Sequence, residues 1–356
     1  MVPNLSTPIF WIAAVAVLGT APSFGADPSW ATQGCSNVRR SIVPIAAPPS
    51  ASRYFSYRGR TLALVGVSAD NGCHLQGLPA NQCHAGNYER TLNAAAKAGL
   101  NKIRLWVVLA GEHRPSNVPF AFDGTHWRLD QKNQAYFDSL RRVVAYAQRR
   151  DLFVEVTLFA PFEGEHFTAG PWGGRGRVPE ESGVLKGIRF PTPRDFVAGE
   201  AHEIADIERL QAAQKRVIDW TVDELWCFDN VIWEIANEPE HPEVDPRRVA
   251  AWQRERIRDV RAAEARYQAT TNGANGRLDL GGHLIAVQPF THTGALEFLD
   301  DPEVDLINGH YATVRRSGRR EKSGSPPTTL DLGALSLVQR YGDRTKLFGW
   351  NETKIT

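Results

Sequence analysis

Val231-Ile232-Trp233-Glu234-Ile235-Ala236-Asn237-Glu238-Pro239-Glu240 is the stretch that decides the fold. An apolar strand runs directly into Asn-Glu-Pro. Pro239 has no amide hydrogen to give a strand ladder, so the strand ends there. Proline also pushes the preceding residue toward extended backbone, which predicts an extended Glu238 held at the strand tip. Side chains alternate along a strand, so Glu234 shares a face with Glu238. If that face is the interior, Glu234 is buried and needs a cation or hydrogen-bond donors.

Outward from this strand the chain alternates between two periodicities. Residues 87–100, 131–150, 201–228, 246–268 and 330–341 carry apolar side chains at helical spacing. Residues 102–109, 152–159, 230–236, 284–288, 304–307 and 346–350 read as short apolar strands. Ahead of them, 53–57, Arg58-Gly59 and 61–67 read as a hairpin, with 62–67 a strand buried on both faces. Strands separated by helices predict an α/β chain with a parallel sheet. A doubly wound sheet usually follows its first strand with G-x-G-x-x-G. Here Ser68-Ala69-Asp70-Asn71-Gly72 stands there instead. Polar residues gather at the C-terminal ends of several strands, the pattern of a (β/α)8 TIM barrel. The long segment 160–200, rich in Gly and aromatics, reads as a binding loop, with Trp172 offering either a ring for a sugar face or a plug.

The chain has 356 residues and 41 Lys+Arg against 40 Asp+Glu, a balance that argues against nucleic acid as a partner. Residues 9–18 are unbroken apolar, too short for the ~20 residues of a bilayer span but suited to a secretory signal. The expected organisation is a signal peptide over 1–26, a Pro/Ala/Ser-rich leader over 27–52, and one catalytic domain over 53–356. Secretion or delivery to the periplasm follows, with no membrane association after cleavage. An even set of four cysteines, Cys35, Cys73, Cys83 and Cys227, permits two disulfides in any of three pairings.

A second apolar strand also ends in a carboxylate: Lys346-Leu347-Phe348-Gly349-Trp350-Asn351-Glu352. Two carboxylates on two strand tips are the equipment of glycoside hydrolysis, one protonated as acid and one ionised as nucleophile. These motifs resemble the retaining glycoside hydrolases of clan A, which include the cellulase-like family 5. The resemblance covers about 53–356. It implies Glu238 as acid/base at the end of the fourth strand and Glu352 as nucleophile at the end of the seventh. It implies that Arg104 steadies the nucleophile and that Asn237 bonds the sugar 2-hydroxyl. His310 and Tyr311 match the family's sixth-strand pair, although adjacent here where the family spaces them by one residue. Either could reach the sugar. The 53–67 hairpin resembles the plug beneath the barrel. No counterpart of the family's eighth strand and helix follows Glu352, so the barrel is expected to lack them. No metal or organic cofactor is implied, and the partner is a β-linked oligo- or polysaccharide.

Two rival readings remain. One is a non-catalytic carbohydrate-binding protein on the same scaffold. The other is a metal-dependent hydrolase using Cys73-His74 and Cys83-His84 as ligands. Asn351-Glu352-Thr353 spells a glycosylation acceptor, but a glycan there would block the proposed nucleophile. The basic run Arg315-Arg316, Arg319-Arg320 and Lys322 reads as a solvated loop, or as a site for an acidic saccharide.

Overall fold

The computed structural model describes residues 55–68, 87–107, 118–123, 127–161, 204–239, 244–271, 282–289, 297–310 and 347–352. The strands are β1 (Phe55–Tyr57), β2 (Arg60–Leu62), β3 (Gly66–Ser68), β4 (Lys102–Trp106), β5 (Phe120–Phe122), β6 (Trp127–Lys132), β7 (Phe153–Phe159), β8 (Val231–Ala236), β9 (Ile285–Val287), β10 (Leu306–His310) and β11 (Leu347–Glu352). The helices are α1 (Asn87–Lys97), α2 (Gln134–Gln148), α3 (Ile204–Leu225) and α4 (Pro246–Thr271). Seven strands form one sheet in the order β3-β4-β7-β8-β9-β10-β11. Each neighbouring pair is parallel. At the ends of this order β11 comes within 8 Å of β3, Cα to Cα, so the sheet curls back toward its own start.

Alternation along the strands sorts residues into two cores. Ile103, Leu105, Val154, Val156, Leu158, Trp233, Ile235, Ile285, Val287 and Ile307 face outward into a core shared with the helices. Leu92 of α1, Val144 of α2, Val217 of α3 and Val260 of α4 complete it. This is why β7 and β8 are buried along their whole length, one face against helices and the other inside.

The inner face is layered. Phe153, Ile232, Leu284, Ala286 and Leu306, at the N-terminal ends of their strands, pack with Phe55. Tyr57 stands edge-on to Phe153 at 4.8 Å between ring centroids. The β1–β2 hairpin therefore stoppers the N-terminal mouth, as the resemblance implied. Arg58 at the hairpin turn ties down to Asp229, just ahead of β8.

The hairpin's second strand is corrected. Residues 62–67 are not one buried strand: β2 ends at Leu62, and β3 begins at Gly66 in a different sheet. Val65 between them is exposed. Asn101 holds this crossing in place of a ladder, its Nδ2 donating to Ala63 O at 2.7 Å and its Oδ1 accepting from Val65 N at 2.7 Å. Gly66 then enters the sheet where a Cβ would lie 2.3 Å from Lys102 O, which leaves room only for glycine.

A second difference concerns 131–150. Its first residues belong to β6, which pairs antiparallel with β5. The buried Trp127 and Leu129 alternate with more exposed neighbours, a period-two signal ahead of the helix. Asn133 ends the hairpin and caps α2. Its side-chain oxygen accepts from Tyr136 N, and its Nδ2 donates to Val118 O at 2.9 Å. The predicted helix 330–341 lies outside the described residues.

Candidate active site

Above the apolar floor the inner face turns polar. Arg104, Glu155, Thr157, Glu234, Gln288 and Asn308 are each 1% exposed or less. They come from β4, β7, β8, β10 and the end of β9, one step nearer the C-terminal mouth than the floor. Six buried polar side chains on one level need one another, because water cannot satisfy them there.

Arg104 is the hub. Its Nε donates to Glu234 Oε2 at 2.7 Å. Its Nη2 donates to Asn237 Oδ1 at 2.9 Å and to Gln288 Oε1 at 3.0 Å. Glu234 also accepts from Thr157 Oγ1, and from Asn308 Nδ2 at 2.9 Å. Glu155 pairs with Lys102 Nζ at 2.9 Å and lies 3.6 Å from Arg104 Nε. Two cations and two carboxylates thus share a dry layer. Burial pushes the Glu234 carboxyl up, Arg104 pulls it down, and the nearby Glu155 pushes it up again, so it stands above the usual glutamate range. The sequence anticipated a cation or hydrogen-bond donors for a buried Glu234, and the structure supplies Arg104, which the resemblance had assigned to Glu352.

Glu238 sits at the mouth directly above this layer, half-buried. Its backbone corrects the prediction: φ is 46°, in the left-handed region, not extended. Its N–H donates to Gln288 Oε1 at 3.2 Å. Asn237 is buried, and its N–H bonds Phe159 O at 2.8 Å, which ties the tip of β8 to the end of β7. The proline rule concerns local sterics alone, and here tertiary hydrogen bonds take the residue elsewhere.

The other expected residues divide by location. Glu352 ends β11 at the same C-terminal edge, and its backbone partner across the ladder is His310 of β10. The ladder shifts register between Gly309 and His310, a bulge beside the mouth. The side chains of Glu352 and His310, and all of Trp172 and Tyr311, lie outside the described residues. So does the pairing of Arg104 with Glu352 that the resemblance implied. Cys73-His74 and Cys83-His84 lie outside them too. Among the described residues no group of three or more His, Cys, Asp or Glu could hold a metal ion.

Sequence reasoning passed over Thr157, Glu155 and Gln288. Glu155 and Thr157 had a readable signal, polar residues at alternate positions of an otherwise apolar strand. Trp106 was also passed over. It ends β4 half-buried, with the Arg104 guanidinium 5.4 Å from its ring centroid.

No protein-family model and no curated protein matches this sequence. Solved structures do match. A family 5 mannosidase from Rhizomucor miehei superimposes with a TM-score of 0.51 at 14% identity, over 77% of this chain and 63% of that one. The fold is that of the family 5 glycoside hydrolases. The endo-1,4-β-mannanase of the same organism matches with a TM-score of 0.51 at 14% identity, over 75% of this chain and 71% of that one. A candidate glycoside hydrolase from Bacteroides vulgatus gives 0.52 at 16% identity, over 86% of this chain and 47% of that one. The chain therefore spans about half to two thirds of the length of several structures it matches. With this glycoside hydrolase fold the parallel sheet is a TIM barrel, and the polar layer lies just below its C-terminal mouth, where barrel enzymes carry their chemistry.

Proposed function

We propose that the chain is a retaining β-glycosidase acting on a β-linked oligo- or polysaccharide. One observation carries this reading: Glu238 stands at the tip of the fourth barrel strand, its N–H bonded to Gln288 and its neighbour Asn237 bonded to Arg104 in the buried network. A carboxyl on a rigid strand end can keep one orientation toward a glycosidic oxygen. Glu238 protonates the departing oxygen and then takes a proton from the incoming water. Glu352, at the end of the seventh strand, attacks the anomeric carbon from the opposite face and forms the glycosyl-enzyme. In retaining enzymes the two carboxyl groups stand ~5–5.5 Å apart.

Asn237 turns its oxygen to Arg104, so its amide nitrogen is the group it offers a sugar hydroxyl. His310, Tyr311 and Trp172 would line the sugar site, joined by the half-buried Trp106. β-Mannosides head the substrate panel, because the matched structures include a mannosidase, one form of it in complex with mannosyl-fructose, and a mannanase. Export through the N-terminal signal fits with Cys227, which is buried and disulfide-bonded.

The test is turnover of aryl β-glycosides and β-polysaccharides by the purified chain. Glu238→Ala should lower kcat by about 10²–10⁴ on substrates with poor leaving groups, the usual worth of a general acid. Azide should restore turnover of activated substrates by occupying the vacated space and give a β-glycosyl azide. Glu352→Gln should abolish turnover and leave sugar binding intact. A chain that binds sugar with no turnover by the wild type would instead be a carbohydrate-binding protein.

A further inference from the structure

Gln288 is wholly buried at the end of β9. Its Oε1 accepts two hydrogen bonds, from Arg104 Nη2 at 3.0 Å and from the Glu238 N–H at 3.2 Å. Both neighbours can only donate. The amide therefore has one orientation, oxygen toward Arg104 and Glu238 and nitrogen away from them. Nε2 is buried with no hydrogen-bond acceptor among the described residues. A glutamine at this position leaves both amide hydrogens unsatisfied, a cost tolerated where the other end of the side chain has a task.

That task is visible in the backbone it holds. Three described non-glycine residues have positive φ: Arg58, Asp151 and Glu238. Arg58 and Asp151 are exposed turn residues. Glu238 alone lies at the barrel mouth, immediately before a proline. Left-handed backbone in a residue with a side chain is strained and persists only where its surroundings over-determine it. It also changes the direction in which the side chain leaves the strand. Extended backbone would send the Glu238 carboxyl elsewhere.

We infer that Gln288 is the positioning residue of Glu238. Its Oε1, fixed by Arg104, holds the Glu238 amide in the left-handed turn and so aims the carboxyl at the glycosidic oxygen. The inference rests on the proposed acid/base role of Glu238 and adds a residue to it. Arg104 supplies the anchor, since the same Nη2 that fixes Gln288 also holds Asn237. One guanidinium thereby sets both residues of the strand tip.

The experiment compares Gln288→Met, of similar length with no acceptor, and Gln288→Glu, which keeps the acceptor. Each is assayed with dinitrophenyl and phenyl β-glycosides beside Glu238→Ala. Dinitrophenolate leaves without proton assistance and phenolate does not. Gln288→Met should slow the phenyl substrate by roughly 10- to 100-fold in kcat/KM, as misplacement of a catalytic group does, and the dinitrophenyl substrate by less than about threefold. Gln288→Glu should recover most of the phenyl rate. It should also move the alkaline limb of the pH profile up by about one pH unit, because a second carboxylate beside Glu238 favours its protonated form.

Equal losses on both substrates in Gln288→Met mean general disruption and overturn the inference, as does an unmoved alkaline limb in Gln288→Glu. If Glu238→Ala itself fails to discriminate the two leaving groups, the acid/base assignment falls first. A second readout needs no turnover and covers a Gln288→Met chain that does not fold. The Glu238 amide should be protected from hydrogen exchange in the folded wild type, and an amide exchanging at the free-peptide rate there overturns the inference.

Discussion

Trp233 and Glu234 are adjacent in β8 and face opposite sides of the barrel wall, and each belongs to a buried carboxylate network. Outside, Trp233 Nε1 donates to Glu264 Oε1 at 2.9 Å. The same oxygen lies 2.6 Å from His283 Nδ1 and accepts from His283 N at 3.1 Å, while Arg261 Nη1 reaches the other oxygen at 3.0 Å. Inside, Glu234 shares one arginine with Asn237 and Gln288 and has Glu155 for a neighbour. Burial pushes both carboxyls up. At Glu264 the bonds from His283, the charge of His283 and Arg261, and the Trp233 donor overcome it and bring the pKa down to about 2. At Glu234 burial and the second carboxylate prevail, and the pKa stays raised.

The difference separates a carboxylate at a helix–strand seam from one in the layer below the barrel mouth. Glu264 gathers donors from Trp233, His283 and Arg261, so its charge strengthens the seam between α4 and the start of β9. Glu234 gives up part of its cation to the strand tip. The inner network forgoes some local stability, and in return Arg104 reaches the residues at the mouth.

The sharpest way to break the comparison is Arg104→Leu. It strands two buried carboxylates and releases Asn237 and Gln288. Stability should fall by about 3–5 kcal/mol in urea titration, the usual cost of removing one partner from a buried pair. Turnover by the fraction still folded should fall with it. A variant as stable as the wild type would show that the inner layer is not held by this guanidinium.

Glu264→Gln should cost about 3 kcal/mol at neutral pH and leave turnover per folded molecule unchanged. The sign follows from the lowered pKa of Glu264, about 2 folded against 4.5 for an ordinary glutamate. The unfolded chain binds the extra proton between those values. The contribution is therefore complete above pH 4.5 and disappears as the pH falls through 2. Wild-type and Glu264→Gln stabilities, measured by denaturant titration against pH, should converge in acid. Parallel curves would remove Glu264 as the source.

The smallest effects make the finest comparison. Trp233→Phe removes one donor from Glu264, and Thr157→Val removes one from Glu234. Each should cost on the order of 1 kcal/mol, the worth of one hydrogen bond. Only Thr157→Val should also alter the pH dependence of turnover, because only that donor belongs to the layer beneath Glu238. An equal change from Trp233→Phe would mean that the two sides of β8 are coupled.

Much of this was legible along the chain. Period-two and helical patterns are local, so the alternation of strands and helices, the apolar face of each, and the carboxylate at the tip of β8 could be read from neighbours in sequence. That Glu234 shares the face of Glu238, and that it would need a cation or hydrogen-bond donors if that face were interior, followed from strand parity and the cost of a buried charge. The plug hairpin was legible as a hairpin. Its exit was not, because Ala63 and Val65 look like strand residues, and only Asn101, 36 positions beyond Val65, shows what holds them.

Tertiary structure decided most of the donors that each carboxylate meets. Glu234 and Glu264 are the same residue type in similar burial, and the one local difference is Arg261, a helical turn before Glu264. Partners between 3 and 130 positions away send their proton affinities in opposite directions. The backbone of Glu238 teaches the same thing. Local sterics before Pro239 favour an extended residue, yet Gln288, 50 positions further on, holds it left-handed. A sequence determines which side chains must be buried and which groups then need partners. The choice of partner belongs to the folded sheet, because hydrogen bonds and Coulomb forces act over a few ångströms of space whatever the separation along the chain.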